Sequence, residues 1–354
     1  MKAITSRAYG APATVRVEDV PTPVPKEGEV LIRTFATVVS GAECTARAGR
    51  DPLARLYFGL VRPRFPVLGT GFAGEVRAVG SAVEKYHIGD RVMGSMGPRL
   101  GAHAEYVTVS EDGVIALMPG GLAPADAVAV LDGALTALPF LRDAAGLKAG
   151  QSILINGASG AVGTAAIQLA RHFGAAVTAV CSTANLELVK SLGADHVIDY
   201  TVEDFTQTTR AYDVVFDAVG KSSYARSRRL LKPGGSYLTT VPSLPILMWA
   251  LTTRIVGRTR AGIAFTGLRR APAMARDVRF VGDLAASGCF VPVIDRIYGL
   301  DDAASAHAHV ETGHKKGSVV VSLQTPGSRL PQRRQGGTEQ QHQAPVHPPD
   351  RDES

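Results

Sequence analysis

The pattern of apolar and polar positions divides the chain into two regions of different texture. In the first region, short runs that alternate apolar with polar residues predict strands, as in VLIRTF at 30–35 and GEVRAVG at 74–80. Glycines are dense between positions 69 and 101, which suits the tight turns and bulges of a partly antiparallel barrel. No long helical pattern precedes Ala123. The first region is therefore predicted to be rich in β-structure.

From Ala123 onward, strands and helices alternate along the chain. The continuous apolar run SILIN at 152–156 is typical of a strand covered on both faces, and a helical pattern follows at 161–173. Further strands are predicted at 176–181, 196–200, 213–220 and 236–241, with helices at 186–192 and 222–231 and a turn at 232–235. This rhythm predicts an α/β fold with a doubly wound parallel sheet.

The C-terminal third is predicted to add helices, a final strand and a tail. An apolar stretch at 243–270 indicates a helix and then a strand at a subunit interface. Helices are expected at 271–287 and 303–311, and a last strand is expected at 318–323. Beyond Gln324 the chain is dominated by Pro, Gln, Gly, Arg and His, so residues 325–354 are expected to be disordered.

Composition narrows the functional classes. A chain of 354 residues predicts two domains, and a hydrophobic content of 45% is enough for a sizeable core. No uninterrupted apolar run of membrane-spanning length and no secretory h-region is present, so no membrane partner is expected. Three widely spaced cysteines indicate a reducing cytoplasm. The net charge of +6 comes without a nucleic-acid motif, so no nucleic-acid partner is expected.

The strongest chemical signal is the glycine-rich segment NGASGAVG, which lies between a predicted strand and a predicted helix. Without side chains, such a loop lets its backbone approach a pyrophosphate, and the helix N-terminus favours the anion. An ordinary tight turn is the alternative, but the strand, the helix and the following βαβ rhythm favour dinucleotide binding. The predicted cofactor contacts in this loop are Gly157, Ser159, Gly160, Ala161, Val162 and Gly163.

The end of the next strand bears on the choice of dinucleotide. An acidic residue there would bind the ribose of NAD, but the sequence reads CSTAN, and no carboxylate follows before Glu187. Ser182, Thr183 and Asn185 could donate hydrogen bonds to a 2′-phosphate, and Lys190 could add positive charge by reaching back. Alternatively, the two hydroxyls simply cap the helix. The absence of negative charge favours NADPH over NADH.

Several short motifs, in their order and spacing, resemble those of the medium-chain dehydrogenase/reductase superfamily. They include PVLGTGFAGEVRAVG, IGDRVMG, GAHAEYV, NGASGAVG, LGADHVIDY, YDVVFDAVG and HKKGSVVV. Within the superfamily, the chain is similar to the zinc-independent quinone oxidoreductases and alkenal or enoyl reductases. The resemblance implies a GroES-like catalytic domain at 1–122, a Rossmann NADP-binding domain at 123–265 and a return segment at 266–324 that completes the first domain. A small-molecule substrate would bind in the cleft, and a homodimer is expected.

The resemblance also bears on metal binding. Zinc-dependent members carry three ligands at positions that match Ser40, Thr70 and Asp132 in this chain. Hydroxyl groups are poor zinc ligands and one carboxylate cannot hold the ion, so no metal site is predicted. Cys44 is four residues away from the matching position and is expected to be a small buried residue. His87 and His103 are expected to be solvent-exposed loop residues.

The remaining site residues are implied by the resemblance alone. Ser40 would donate a hydrogen bond to the substrate, and Tyr57 would be a proton donor or, alternatively, a packing aromatic. The other implied cofactor contacts are Thr136 near the nicotinamide, Tyr200 beside the adenosine phosphate, Val219 and Gly220 at the adenine ribose, and Lys316 beside the cleft. The alternative for Lys316 is a solvated charge.

Together these features predict an NADPH-dependent, zinc-independent reductase that transfers hydride to a quinone or an α,β-unsaturated carbonyl. Both acceptors delocalise the incoming charge onto oxygen, so no metal is needed to polarise them. Two alternatives stay open: an alcohol dehydrogenase of the zinc type, and a nucleotide-binding protein without turnover. The sequence does not identify the physiological substrate.

Overall fold

The computed structural model describes residues 1–50 and 52–324 and places them in two large β-sheets and one small two-stranded sheet, with helices packed around them. The strands are β1 (Lys2–Thr5), β2 (Arg16–Asp19), β3 (Glu29–Val39), β4 (Gly71–Val79), β5 (Arg91–Ser95), β6 (Tyr106–Ser110), β7 (Ile115–Leu117), β8 (Ser152–Asn156), β9 (Ala176–Cys181), β10 (His196–Asp199), β11 (Tyr212–Asp217), β12 (Leu231–Thr239), β13 (Arg260–Ile263), β14 (Ile294–Gly299) and β15 (Ser318–Ser322). The predicted tail at 325–354 lies outside the described residues.

The helices connect and cover these strands. They are α1 (Gly41–Ala48), α2 (Pro52–Phe58), α3 (Pro124–Leu138), α4 (Ala161–His172), α5 (Leu186–Ser191), α6 (Tyr224–Ser227), α7 (Leu244–Ile255), α8 (Ala271–Ala286) and α9 (Ala303–Glu311). Helices α8 and α9 lie within one residue of the boundaries predicted for them. The helix-then-strand interpretation of 243–270 is likewise matched by α7 and β13.

The N-terminal region is rich in β-structure, as its pattern predicts, and most of its strands belong to the first sheet, which is largely antiparallel. Its order is β14-β15-β3-β4-β5-β7, with β6 also paired to β3. The long strand β3 is its centre, and the late strand β15 pairs antiparallel with the end of β3, Val319 opposite Val39. The return segment therefore adds two strands to the sheet built by the N-terminal region. The domain boundaries themselves stay a prediction.

The second sheet has the order β10-β9-β8-β11-β12-β13, and all of its pairs are parallel. Ile153, Leu154 and Ile155 of β8 are fully buried, which explains why this strand is a continuous apolar run. The chain reverses its direction of travel across the sheet between β8 and β11. Ligands of such sheets bind at this switch point, beyond the carboxyl ends of the two strands. The doubly wound prediction is confirmed.

Two local predictions were wrong. The predicted turn at 232–235 lies inside β12, where the register with β11 is irregular between Tyr212 and Val214. A bulge uses Pro and Gly as a turn does, so the residue types alone cannot distinguish the two. The predicted helix at 222–231 is only the short α6 followed by a 3-10 turn at 228–230. Two short helices, α1 and α2, also lie in the region predicted to be without long helices.

Helix α3 lies at the centre of the molecule and packs against α4 and against strands of the first sheet. With the π-helical turn that follows, 124–144 is long and apolar enough to span a membrane, but two thirds of its apolar window is buried inside the protein. At Gly133, α3 approaches the first turn of α4 so closely that an added Cβ would lie 1.9 Å from the carbonyl oxygen of Ala161. This contact fixes where α4 begins.

The close approach at Gly133 gives a test of this packing. Replacing Gly133 by Ala should force α3 and α4 apart and lower the free energy of unfolding by about 1–3 kcal/mol, as overpacking in a core does. The matched control is Gly120→Ala, because an added Cβ there meets no atom within 4 Å. Chemical denaturation of both variants measures the difference. Equal midpoints for G133A and the wild type would contradict the packing described.

Candidate functional site

A loop of glycines at the carboxyl end of β8 has the geometry of a phosphate-binding loop. Gly157 has φ +79°, a conformation that favours glycine, and an added Cβ at Gly163 would lie 2.2 Å from the Gly157 carbonyl oxygen. Gly160 is different, because the nearest atom to an added Cβ is 3.7 Å away. Gly160 starts α4, and no side chain caps this helix end. The protein leaves room above Gly160, and the first-turn N–H groups can face an anion there.

The return segment closes one side of this loop. The Gly317 N–H donates to the Ser159 carbonyl oxygen at 2.8 Å, and Gly317 forms an isolated bridge with Gly160. Gly317 has φ +65°, and an added Cβ would lie 2.2 Å from the Val293 carbonyl oxygen. The residue therefore cannot carry a side chain without moving the backbone that touches the loop.

A buried carboxylate organises the neighbouring loop after β11. Asp217 accepts hydrogen bonds from Asn156 Nδ2 at 3.0 Å, from the Gly220 N–H at 2.9 Å and from the Ser222 N–H at 2.8 Å. These bonds hold Val219 over Gly157, whose added Cβ would lie 2.4 Å from a Val219 methyl group. Sequence reasoning missed Asp217, although it is the charged residue that ends the apolar strand DVVFD.

The end of β9 offers polar groups beside the phosphate loop. Asn185 Nδ2 donates to both Ser159 Oγ and Ser182 Oγ at 3.1 Å, so the Ser182 hydroxyl keeps its own hydrogen for another acceptor. Lys316 Nζ lies 3.4 Å from the Ala184 carbonyl oxygen and brings a positive charge to the same turn. Tyr200 is 53% exposed, so it is not the core aromatic that its strand-end position would also allow.

The expectation that no carboxylate lies near this turn was wrong. Asp199 ends β10 opposite Cys181 in the parallel register, and it accepts a hydrogen bond from the Thr183 hydroxyl at 2.5 Å. That bond, with those from Thr201, lowers the pKa of Asp199, and it occupies the Thr183 donor. Lys190 does not reach back either, because its Nζ pairs with Glu187 at 2.9 Å. The neighbouring strand supplies Asp199 from 16 residues beyond Thr183, outside any local motif.

The two predicted catalytic residues make separate contacts in the structure. Ser40 caps α1, with its Oγ accepting the Glu43 N–H at 3.2 Å. Tyr57 lies on α2, where its ring packs against Phe58 and Phe65 at centroid distances of 5.0 and 6.0 Å. Among the contacts of residues 1–50 and 52–324, none joins Tyr57 to Ser40 or to the phosphate loop. The packing interpretation of Tyr57 therefore has direct geometric support. Thr136 is half-buried on α3.

The positions that would hold a catalytic zinc do not suit the ion. Ser40 and Thr70 supply only hydroxyl groups, which are weak zinc ligands. Burial raises the pKa of the third residue, Asp132, and Lys315 Nζ lies 4.0 Å from its Oδ2. The single carboxylate of the set thus already has a cationic neighbour. No catalytic step is therefore assigned to zinc at these positions.

The expectation for His103 was wrong, whereas Cys44 is buried as predicted. His103 has no exposed surface and lies against Glu43 and His307, which are also buried. Gly69 leaves space for the ring, since an added Cβ there would lie 2.4 Å from His103 Nδ1. His87 is exposed, as expected, with 82% of its side chain accessible. In the sequence, nothing near GAHAEYV shows that distant residues cover His103.

Comparison with known proteins identifies the family. The family model described as alcohol dehydrogenase GroES-like domain matches residues 26–119, and the one described as zinc-binding dehydrogenase matches residues 192–321. The 2-methylene-furan-3-one reductase of Solanum lycopersicum is 34% identical over 333 residues, covering 91% of this chain and 79% of that protein. The chain belongs to the medium-chain dehydrogenase/reductase superfamily. It is an oxidoreductase of this superfamily, as its sequence motifs predict.

Two further relatives agree with this assignment. The chloroplastic NADPH-dependent alkenal/one oxidoreductase of Arabidopsis thaliana is 32% identical, covering 91% of this chain and 79% of that protein. The solved structure of the quinone oxidoreductase from Coxiella burnetii is 31% identical, with a TM-score of 0.81 over 92% of this chain and 99% of the other. Both the resemblance and the fold class predicted from sequence are confirmed.

Gly160 allows a test of the phosphate loop that does not depend on folding. Replacing Gly160 by Val should weaken NADPH binding at least tenfold, because the added side chain fills the space above the loop, whereas its Cβ comes no closer than 3.7 Å to a protein atom. Gly28→Val is the control, since an added Cβ there meets nothing within 4 Å. Fluorescence titration with NADPH measures both. Unchanged affinity in a folded G160V variant would overturn the assignment of this loop.

Proposed function

We propose that this oxidoreductase transfers hydride from NADPH to a quinone or an α,β-unsaturated carbonyl without a catalytic zinc. The observation that carries the proposal is the combination of a phosphate loop with zinc-ligand positions occupied by Ser40, Thr70 and a Lys315-paired Asp132. The relatives named for alkenal/one and furanone reduction support the same substrate class.

The residues at the loop suit a nicotinamide dinucleotide. The uncapped start of α4 and the room above Gly160 would accept the pyrophosphate, and Val219 and Gly220 would border the adenosine half. Tyr200, which is exposed beside the turn that follows β9, would border the adenosine phosphate. When bound, the coenzyme supplies the hydride.

The preference for NADPH depends on the balance of positive and negative groups at the turn that follows β9. Ser182 can donate its hydroxyl hydrogen, and Lys316 places an ammonium group beside Ala184, which both favour a 2′-phosphate. Asp199 opposes them, because a carboxylate at this strand end suits the ribose hydroxyls of NADH. We infer that Lys316 decides the balance, since the hydrogen bonds from Thr183 and Thr201 engage the Asp199 oxygens and offset part of their negative charge.

An activated acceptor explains how the site works without a metal. Hydride that reaches the β-carbon of an enone moves the electron pair onto the carbonyl oxygen, and a proton then completes the α-carbon. Ser40 lies at the N-terminus of α1, where a hydroxyl hydrogen and the helix dipole can both stabilise that oxygen. Thr136 would lie near the nicotinamide.

A homodimer and a cytoplasmic location are part of the same proposal. Leu244, Leu251 and Ile255 of α7 are all more than three-fifths exposed, and β13 is the edge strand of the parallel sheet beside them. An apolar helix next to an unpaired sheet edge is typical of a surface that is covered by another chain. Light scattering of the purified protein would give the oligomeric state.

Lys316 gives the sharpest test of coenzyme choice. Lys316→Ala should weaken NADPH binding about fivefold, the effect of roughly 1 kcal/mol for an exposed ion pair, and should leave NADH binding unchanged. Lys190→Ala is the matched control, because Lys190 is also exposed on the helix that follows this turn but pairs with Glu187. Calorimetric titration with each coenzyme compares the variants. Equal losses for the two coenzymes in K316A would contradict a 2′-phosphate contact.

Turnover separates the two enzymatic alternatives and the non-catalytic one. The wild-type protein should oxidise NADPH with a panel of quinones and enals, and added zinc should not create ethanol oxidation, because no strong donor set meets at Ser40, Thr70 and Asp132. Asp132→Asn should keep at least half of the enal turnover. Zinc-dependent ethanol oxidation would favour an alcohol dehydrogenase, and NADPH binding without turnover on any acceptor would favour a nucleotide-binding protein.

A further inference from the structure

Three buried side chains from distant parts of the chain meet behind the site. Glu43 lies on α1, His103 lies in the loop before β6, and His307 lies on α9. None of the three side chains has exposed surface. Glu43 Oε1 is 2.9 Å from His103 Nε2 and 3.4 Å from His307 Nε2, and the three ligand atoms all lie within 4.8 Å of one another. The mechanism above uses none of them.

The hydrogen bonds around His103 leave its inner nitrogen without a protein partner. The Thr37 hydroxyl donates its single hydrogen to the Gly71 carbonyl oxygen at 2.7 Å, so it must accept from His103 Nδ1 at 2.8 Å. The proton of a neutral ring is therefore on Nδ1, and Nε2 presents a lone pair to the Glu43 carboxylate. Although Nε2 is close to that carboxylate, it has no partner with hydrogen-bond geometry among the described residues.

His307 repeats this arrangement. Its Nδ1 faces Cys44 Sγ at 3.4 Å, and its Nε2 points towards Glu43 without a hydrogen-bond partner in the described part of the chain. Both histidines thus direct Nε2 inward and hold Nδ1 against a neighbouring side chain. Metal-binding histidines are commonly oriented in this way by a partner on the outer nitrogen.

We propose that Glu43, His103 and His307 form a structural binding site for a divalent transition-metal ion of the zinc class. Two imidazole nitrogens and one carboxylate oxygen are ligands that zinc accepts, at bond lengths of about 2.0–2.2 Å. Tetrahedral ligands at that range lie about 3.3 Å apart, between the two Glu43 distances given above. The ion would explain why three unpartnered polar atoms, Glu43 Oε2 among them, are buried together.

The surroundings leave the Glu43 carboxylate to offset one of the two positive charges of the ion. Arg47 lies one turn after Glu43 on α1, but its guanidinium is paired with Glu311. The ion would join α1, the His103 loop and α9. Glu43 Oε1 also accepts the Gly69 N–H at 3.1 Å, so the site would brace the backbone next to Thr70. An ion at this buried site could not contact substrate, so its role would differ from that of the catalytic zinc of the superfamily.

Metal analysis of the full-length protein, purified without a metal-affinity resin, tests the proposal. Wild-type protein grown with zinc should contain about one ion per chain. His103→Gln and His307→Gln should each lose at least nine tenths of it. His87→Gln is the matched control for histidine replacement, because His87 is exposed, and Asp132→Asn controls for the catalytic position. Both controls should keep the ion. Retention of the full metal content in H103Q would overturn the assignment.

Cobalt gives a second measurement that needs no variant. Cobalt chloride added during refolding of the wild-type chain should produce the visible absorption of a tetrahedral or five-coordinate ion at one equivalent. The thiolate-to-cobalt band in the near ultraviolet should be absent, since the ligands are nitrogen and oxygen. A strong thiolate band would place the ion on a cysteine instead. Protein that contains no metal as purified and binds neither zinc nor cobalt would refute the site, whether or not the variants fold.

Discussion

The hydrogen bond from the Gly317 N–H to the Ser159 carbonyl oxygen ties the last strand of the first sheet to the phosphate loop of the second. Strand β15 runs directly on from Gly317 and pairs with β3, whose end leads to Ser40. One backbone contact thus connects the segment that would hold the coenzyme with the one that would hold the substrate. An added Cβ at Gly317 would collide with the Val293 backbone, so this close contact requires a glycine at position 317. The proposed chemistry depends on this contact, because hydride transfer requires donor and acceptor to be held at short range.

Features set by local periodicity or by a continuous motif could be predicted from the sequence. The apolar run of β8, the glycines after it and the helix α4 lie in one segment, and each of them restricts the backbone in a way that residue types reveal. Helices α8 and α9 were likewise recognised from their own patterns. Gly160 fits the predicted phosphate loop in one further respect. Packing within the protein does not require a glycine there, so the missing side chain leaves room for a ligand.

Features that depend on contacts between distant segments could not be predicted. Asp199 reaches Thr183 only because β10 and β9 are parallel neighbours that end at the same edge. Lys316 reaches Ala184 across 132 residues of sequence. His103 was expected in solvent as a loop histidine without ligand-like spacing, yet its ring packs against that of His307 on α9, with centroids 6.1 Å apart. In each case a contact between distant segments sets the charged surroundings of the residue, and no local sequence pattern indicates that contact.

Transfer of hydrogen to carbon is the most direct measure of the central claim, which is hydride delivery to an activated acceptor without zinc catalysis. The protein would be incubated with an enal and NADPH deuterated at the nicotinamide C4, with each stereoisomer in turn, and the product examined by NMR. The account predicts deuterium at the carbon β to the carbonyl from one isomer only, at a rate that does not respond to added zinc. Absence of the saturated product, or deuterium at the carbonyl carbon with a rate that requires added zinc, would contradict it.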